Sequence, residues 1–165
     1  MREFKTILCP TDFSEDSYRA LDYGARFAKA ADGTLLIAHV IHVASGDLLQ
    51  DAETAGEDRA MGLARGPGGL GAHVLKFDDA KRRMAAKLEE ARQHHTQGYP
   101  KCELIIDIGD PYQRLLAITT ERKVDLIVIA THGLGGLQQL VMGSVAEKLI
   151  RHAPCPMFVV RRGAA

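Results

Sequence analysis

The chain has 165 residues, enough for one substantial core, and its 21 Lys plus Arg balance 21 Asp plus Glu. That balance excludes a global field for drawing in DNA or RNA, so any bound anion must be held by local geometry. No apolar run reaches the roughly 18 to 20 residues of a membrane span, and the start Met1-Arg-Glu-Phe-Lys-Thr-Ile-Leu8 lacks the apolar segment of a signal peptide, which points to the cytoplasm.

Five short runs read as strands: Thr6 to Cys9, Thr34 to Val43, Glu103 to Ile108, Asp125 to Ala130 and Met157 to Val160. Most are continuously apolar, as strands are when crossover helices cover both faces of a parallel sheet. The first runs through Pro10-Thr11-Asp12 into a helix from about Ser14 to Ala31. Its small face is Ala20, Leu21, Gly24, Ala25 and Ala28, and Asp32-Gly33 is a stop signal.

After the second strand, residues 44 to 73 read as a mobile insertion, acidic at first and then carrying five glycines from Gly62 to Gly71. A long connection of this kind often serves as a lid or binding loop. Its Arg65-Gly-Pro-Gly-Gly69 has no strand before it and no firm helix after it, so it reads as flexible chain rather than a phosphate loop. A second helix is expected from Asp78 or Asp79 to about His95, with Ala80, Met84, Leu88 and Ala91 at helical spacing and His94-His95 capping its end. The third starts at Asp110-Pro111, cap then proline, and buries Leu115, Leu116 and Ile118. The last spans Val145 to His152 and stops before Pro154.

This alternation predicts one α/β domain over residues 1–165, a doubly wound five-stranded parallel sheet of order 3-2-1-4-5 with helices on both faces. The connections leaving strands 1 and 4 then diverge to opposite faces, and ligands bind in the crevice at their carboxyl ends. Those ends are Pro10-Thr11-Asp12 and Thr131-His132-Gly133.

The second exit carries the strongest signal. A buried strand ends at Ala130, Gly133, Gly135 and Gly136 permit close backbone approach, and Gly143-Ser144 closes the loop. Ser144-Val-Ala-Glu147 fits a capping box, which would aim helix amides at an anion. Turn-making glycines and simple capping by Ser144 are the plainer reading of the same residues.

With both exits in view, nearly the whole chain resembles the universal stress protein family, in its nucleotide-binding branch. That family's ATP signature is Gly, two residues, Gly, nine residues, then Gly followed by Ser or Thr. Gly133, Gly143 and Ser144 match it here, while Ala130 stands where the first glycine belongs and adds a methyl group. The resemblance extends to Pro10-Thr11-Asp12, His39-Val40, Ala146-Glu147 and Ala153-Pro154-Cys155-Pro156.

The resemblance implies an adenine nucleotide alpha hydrolase-like fold and a site for ATP. Asp12 would bond the ribose hydroxyls, Thr11 and the backbone at Val40 would read the adenine, and Gly133, Gly143, Ser144 and Val145 would hold the phosphates. Pro10, Ala130 and His132 complete the set as neighbours of those residues. A carboxylate is a good acceptor for two hydroxyls, though Asp12 also reads as a charge or cap at a helix start.

Binding is better supported than chemistry. The chain has no Gly-x-x-x-x-Gly-Lys-Ser/Thr and no kinase signature. The 130 to 145 loop has no basic side chain except His132, so phosphate charge would be met by amides, the helix end and a Mg²⁺ or Mn²⁺ ion. His132 reads as a loop-holding residue rather than a general base, so no catalytic residue is assigned. His39 and His42 point to opposite faces of a strand and cannot share a metal, so no metal site is assigned either. Cys9, Cys102 and Cys155 are too widely spaced for a disulfide framework or a zinc pair, and Cys9 and Cys155 read as packing residues.

The expected function is that of a cytoplasmic ATP-binding regulatory or stress-response switch. The alternatives are a protein-interaction member of the same fold with an empty crevice, and a slow ATPase whose 44 to 73 loop closes over the triphosphate. A homodimer through the apolar edge strand Met157-Val160 is expected in each case, with no nucleic-acid or membrane partner.

Overall fold

The computed structural model describes residues 4–42, 70–131 and 143–161, with residues 70–77 described by backbone alone. The described elements alternate: β1 (Thr6–Pro10), α1 (Glu15–Ala31), β2 (Thr34–His42), α2 (Leu70–His95), β3 (Cys102–Gly109), α3 (Pro111–Glu121), β4 (Leu126–Ala130), α4 (Ser144–His152) and β5 (Met157–Val160). The five strands pair in parallel in the order β3-β2-β1-β4-β5, the order expected from the sequence.

Successive residues of a strand face opposite sides, so each apolar run feeds two cores. Ile7, Cys9, Leu35, Ile37 and Val128 form the core that includes α1 and α2 residues, and Leu8, Leu36, Ala38, Ile127 and Ile129 form the one shared with α3 and α4. The small face of α1 behaves as read: Ala20, Leu21, Gly24, Ala25 and Ala28 are all buried. Gly24 explains the close approach of α1 to β1, because a Cβ there would lie 2.0 Å from Cys9 Sγ. Cys9 is a packing residue, 1% exposed, and burial pushes its thiol far above the ordinary range.

The helix stop at Asp32-Gly33 divides its work differently from a glycine cap. Asp32 takes the left-handed conformation (φ 49°, ψ 39°), and the Gly33 N–H donates to Ala28 O at 2.9 Å. Gly33 is needed for space instead, since a Cβ there would sit 2.7 Å from Lys5 O.

Two expectations for α2 need correction. The helix begins at Leu70, eight residues before Asp78, so residues 70–73 of the anticipated insertion are helical. Gly71 and the glycines before it hide that start, because glycine disfavours helix locally. His95 does not cap the helix end. Its ring turns to α1, with Nδ1 2.9 Å from Asp22 Oδ1 and the imidazole stacked on Tyr18 at 4.6 Å. The remainder of the insertion, including Arg65 to Gly69, lies outside the described residues.

α3 follows its sequence signal closely. Asp110 is the N-cap, accepting from the Gln113 N–H at 2.9 Å, Pro111 opens the helix, and Leu115 and Ile118 are buried. Leu116 is only partly covered. Among the described residues no helix is long and apolar enough to cross a membrane.

Candidate functional site at the carboxyl edge of β1 and β4

β1 and β4 are parallel neighbours, with Ile7 opposite Leu126 and Leu8 opposite Ile127, so both chains leave the sheet at the same edge. Neighbouring strands lie about 4.8 Å apart, which brings Pro10-Thr11-Asp12 beside Ala130-Thr131.

At the first exit the chain is tied down tightly. Pro10 is the buried last residue of β1, and Thr11 is buried too. The Thr11 N–H donates to Ala38 O at 2.8 Å, and Thr11 O accepts from His39 Nδ1 at 2.8 Å. Thr11 Oγ1 accepts from the Phe13 N–H at 3.0 Å and pairs with Ser17 Oγ at 2.9 Å. Ser17 Oγ gives its own proton to Ser14 O at 2.8 Å, so the Thr11 hydroxyl is the donor in that pair.

Asp12 stands two residues ahead of the α1 cap. Its Oδ1 accepts from the Ser14 N–H at 3.1 Å and from the Ser14 hydroxyl at 2.6 Å, an Asx turn. Ser14 in turn caps α1 by accepting from the Ser17 N–H at 3.2 Å. Asp12 therefore has the helix-start role offered as the rival reading. Phe13 between them adopts a left-handed backbone, φ 67°, which costs a side-chain-bearing residue on the order of 1 kcal/mol. Burial, followed by the negative charges of Glu90 and Asp12, raises the Tyr18 phenol above its ordinary range.

Val40 lies beyond the end of β1. Ala38 turns its carbonyl toward β1, and backbone groups in a parallel strand repeat their direction every second residue. Val40 therefore presents its N–H and C=O on the β1 side, past the last residue of that strand.

At the second exit, the Thr131 N–H donates to Val160 O at 3.0 Å, and Thr131 O accepts from the Gly143 N–H at 2.6 Å. The chain that leaves β4 at Thr131 is thus pinned to the same residue when it returns to begin α4. Ala130 is 7% exposed, with its methyl in the core that includes α1 residues, beside Val128 and Val160. Gly143 has φ −59° and ψ 141°, and a Cβ there would meet Thr131 O at 3.3 Å. His132 and Gly133, with Gly135 and Gly136, lie outside the described residues.

The capping box expected at Ser144 is not formed. Gly143 is the N-cap, Ser144 is the first helical residue and is exposed, and among the described residues no side chain caps the helix. The Glu147 N–H donates to Gly143 O at 3.0 Å, while its carboxylate meets Arg151 at 2.7 Å, away from the helix start. The amides of Ser144, Val145 and Ala146 belong to the first turn, where no intrahelical carbonyl can reach them. Val145 is half-buried against the core on the α3 and α4 face.

The crevice edge therefore joins two unlike ends: a carboxylate-bearing turn at α1 and, at α4, a helix start with no side-chain cap among the described residues. Sequence reasoning passed over three participants, His39 as an anchor, Phe13 as a strained link and Ser17 as a hydroxyl partner. His39-Val40 stood in the sequence as a matching dipeptide, but nothing there announced that the ring would bond Thr11.

Comparison with known proteins agrees with this architecture. The chain is similar to the universal stress protein MJ0577 of Methanocaldococcus jannaschii, 28% identical over 164 residues covering 96% of each chain. The solved structure of MJ0577 superposes with a TM-score of 0.74, covering 99% of this chain and 100% of that one. A universal stress protein of Thermus aquaticus is 29% identical over 160 residues, 96% of this chain and 99% of that protein. A universal stress protein solved in complex with cAMP shares the fold, with a TM-score of 0.64 at 22% identity, covering 96% of this chain and 98% of that one. The model of the universal stress protein family matches residues 3–161, and the chain belongs to that family.

Proposed function

We propose that this protein is a cytoplasmic ATP-binding regulatory switch of the universal stress protein family. The observation that carries the reading is the pair of unlike helix starts on one sheet edge. Asp12 offers a carboxylate for ribose hydroxyls, and the first turn of α4 offers amides and the positive end of a helix dipole for phosphates.

In this reading Asp12 holds the ribose while its Oδ1 stays bound to Ser14. The adenine edge is met by the backbone of Val40, with the Thr11 hydroxyl turned inward to Ser17 and serving to fix the turn. Gly143, Ser144 and Val145 bind the phosphates, helped by Gly133 and His132. Pro10 and Ala130 form the floor. The Ala130 methyl lies within a core and so does not fill the crevice, which favours nucleotide binding over the interaction-only alternative. A Mg²⁺ or Mn²⁺ ion would be held mainly by the phosphate oxygens. When bound, it would supply the positive charge that no lysine supplies in the phosphate loop. That an adenine nucleotide occurs with this fold, as in the cAMP complex, supports the choice of ligand class.

Titration calorimetry of the purified protein with ATP, ADP and AMP tests the reading. Saturable binding with a preference among the three supports it, and absence of any binding at millimolar ligand ends it.

The homodimer through Met157–Val160 belongs to the same proposal. β5 is an edge strand, and its Phe158 is 38% exposed beside Tyr23, which is 42% exposed, with ring centroids 5.4 Å apart. An exposed aromatic on an edge strand, with a second beside it on α1, favours pairing with a second copy. Sedimentation should give a dimer at micromolar concentration, and a monomer there refutes it.

A further inference from the structure

The carboxylate of Asp12 has to be held in place by something, and the geometry points to His39. A carbonyl can only accept, so the 2.8 Å contact between Thr11 O and His39 Nδ1 requires a proton on Nδ1. The same imidazole meets the Phe13 ring, with centroids 4.4 Å apart and planes at 40°. One side chain thus grips the residue before Asp12 through its carbonyl and the residue after it through its ring.

That double grip falls on the strained point of the turn. Phe13 has φ 67°, a conformation that persists in a side-chain-bearing residue only when its surroundings enforce it. Lys87 of α2 adds a second contact, with Nζ 5.4 Å from the Phe13 ring centroid. The left-handed step at Phe13 in turn lets Ser14 double back to Asp12 Oδ1 through both its N–H and its hydroxyl.

We propose that His39 is a positioning residue for nucleotide recognition: it sets the Asp12 carboxylate for the ribose hydroxyls and so determines how strongly the protein selects ribose over sugars lacking those hydroxyls. This rests on the assignment of Asp12 to the ribose. Because His39 acts through Asp12 and does not touch the phosphate end, its loss should remove sugar selectivity and leave the remaining affinity in place.

The test compares binding of ATP and 2′,3′-dideoxy-ATP to the wild type and to His39→Phe, His39→Asn and His39→Gln. Asparagine can put an N–H near the place of Nδ1, glutamine puts it further out, and phenylalanine keeps only the ring contact. Wild type should prefer ATP by about ten-fold or more, the worth of one good charged hydrogen bond. His39→Phe and His39→Gln should bring that ratio close to one with little change for the dideoxy nucleotide, and His39→Asn, which returns the N–H without the ring, should restore most of it. An unchanged ratio in His39→Phe, or an equal loss for both ligands, overturns the proposal.

Amide spectra of the ligand-free protein separate this from the nucleotide reading itself. The Phe13 and Ser14 N–H groups bond to Thr11 and Asp12, so their resonances should move in His39→Phe and return in His39→Asn. Unmoved resonances overturn the role of His39. If the wild type binds neither nucleotide, the ribose assignment falls, and the proposed selectivity falls with it.

Discussion

α1 and α4 begin on the same edge of the sheet, and their first turns are opposites. α1 is capped by Ser14, reinforced by Asp12 and carries Glu15 and Asp16 in its first turn, so its positive dipole end is already met by the chain's own groups. α4 starts at Gly143, which has no side chain to cap it, and Ser144 is exposed, so the first amides are to be satisfied from outside the helix. Two helix starts on one edge thus differ in chemistry, and in the proposed function the first addresses hydroxyls and the second an anion. The difference lies in which side chains the sequence placed just before each helix.

Removing the charge at the α1 end should break the comparison most severely. Asp12→Asn is expected to weaken ATP about 10- to 100-fold, the range for losing charge-assisted hydrogen bonds, with little loss for inorganic triphosphate. Calorimetry with both ligands measures this, and an equal loss for the two would mean that Asp12 does not address the sugar.

The α4 end can be tested without disturbing the helix. Ser144→Pro deletes one amide at the first helical position, where proline is well tolerated, and Gly143 already has the extended backbone that a following proline requires. ATP affinity should fall several-fold, on the order of one hydrogen bond to a charged group, while adenosine is unaffected and the melting temperature holds. Unchanged ATP binding would remove α4 from the site.

Stability measurements sharpen the contrast at smaller scale. Ser14→Ala should cost about 1 kcal/mol, because a formed cap is lost and Asp12 loses a partner. Ser144→Ala should cost only a few tenths of a kcal/mol or less, since no capping bond exists to lose. Chemical denaturation of the two variants gives the comparison, and equal losses would contradict the assigned caps.

Much of this architecture was legible in the residues. The apolar strands and their alternation with helices led to the strand order, Asp110-Pro111 marked α3, and Ser14 marked α1, because each signal acts within one turn of chain. The failures share a cause. Gly143 and Ser144 are both acceptable cap residues, and the choice between them depends on Thr131 O holding the Gly143 N–H, a contact across the loop. The turn of His95 toward Asp22 likewise depends on a contact with another helix rather than on local preference. Phe13 is the clearest case, since no composition rule assigns a left-handed backbone to phenylalanine. The site was visible as two exits, but the anchors that shape it were not.

The most direct test of a ligand spanning the two helix starts is an amide-resolved titration of the wild-type protein with ATP. The resonances of Asp12 to Ser14 and of Ser144 to Ala146 should shift together along one binding curve, while those of the α3 end at Thr120 and Glu121 stay still. If either group fails to move at saturating nucleotide, the two exits do not form one site.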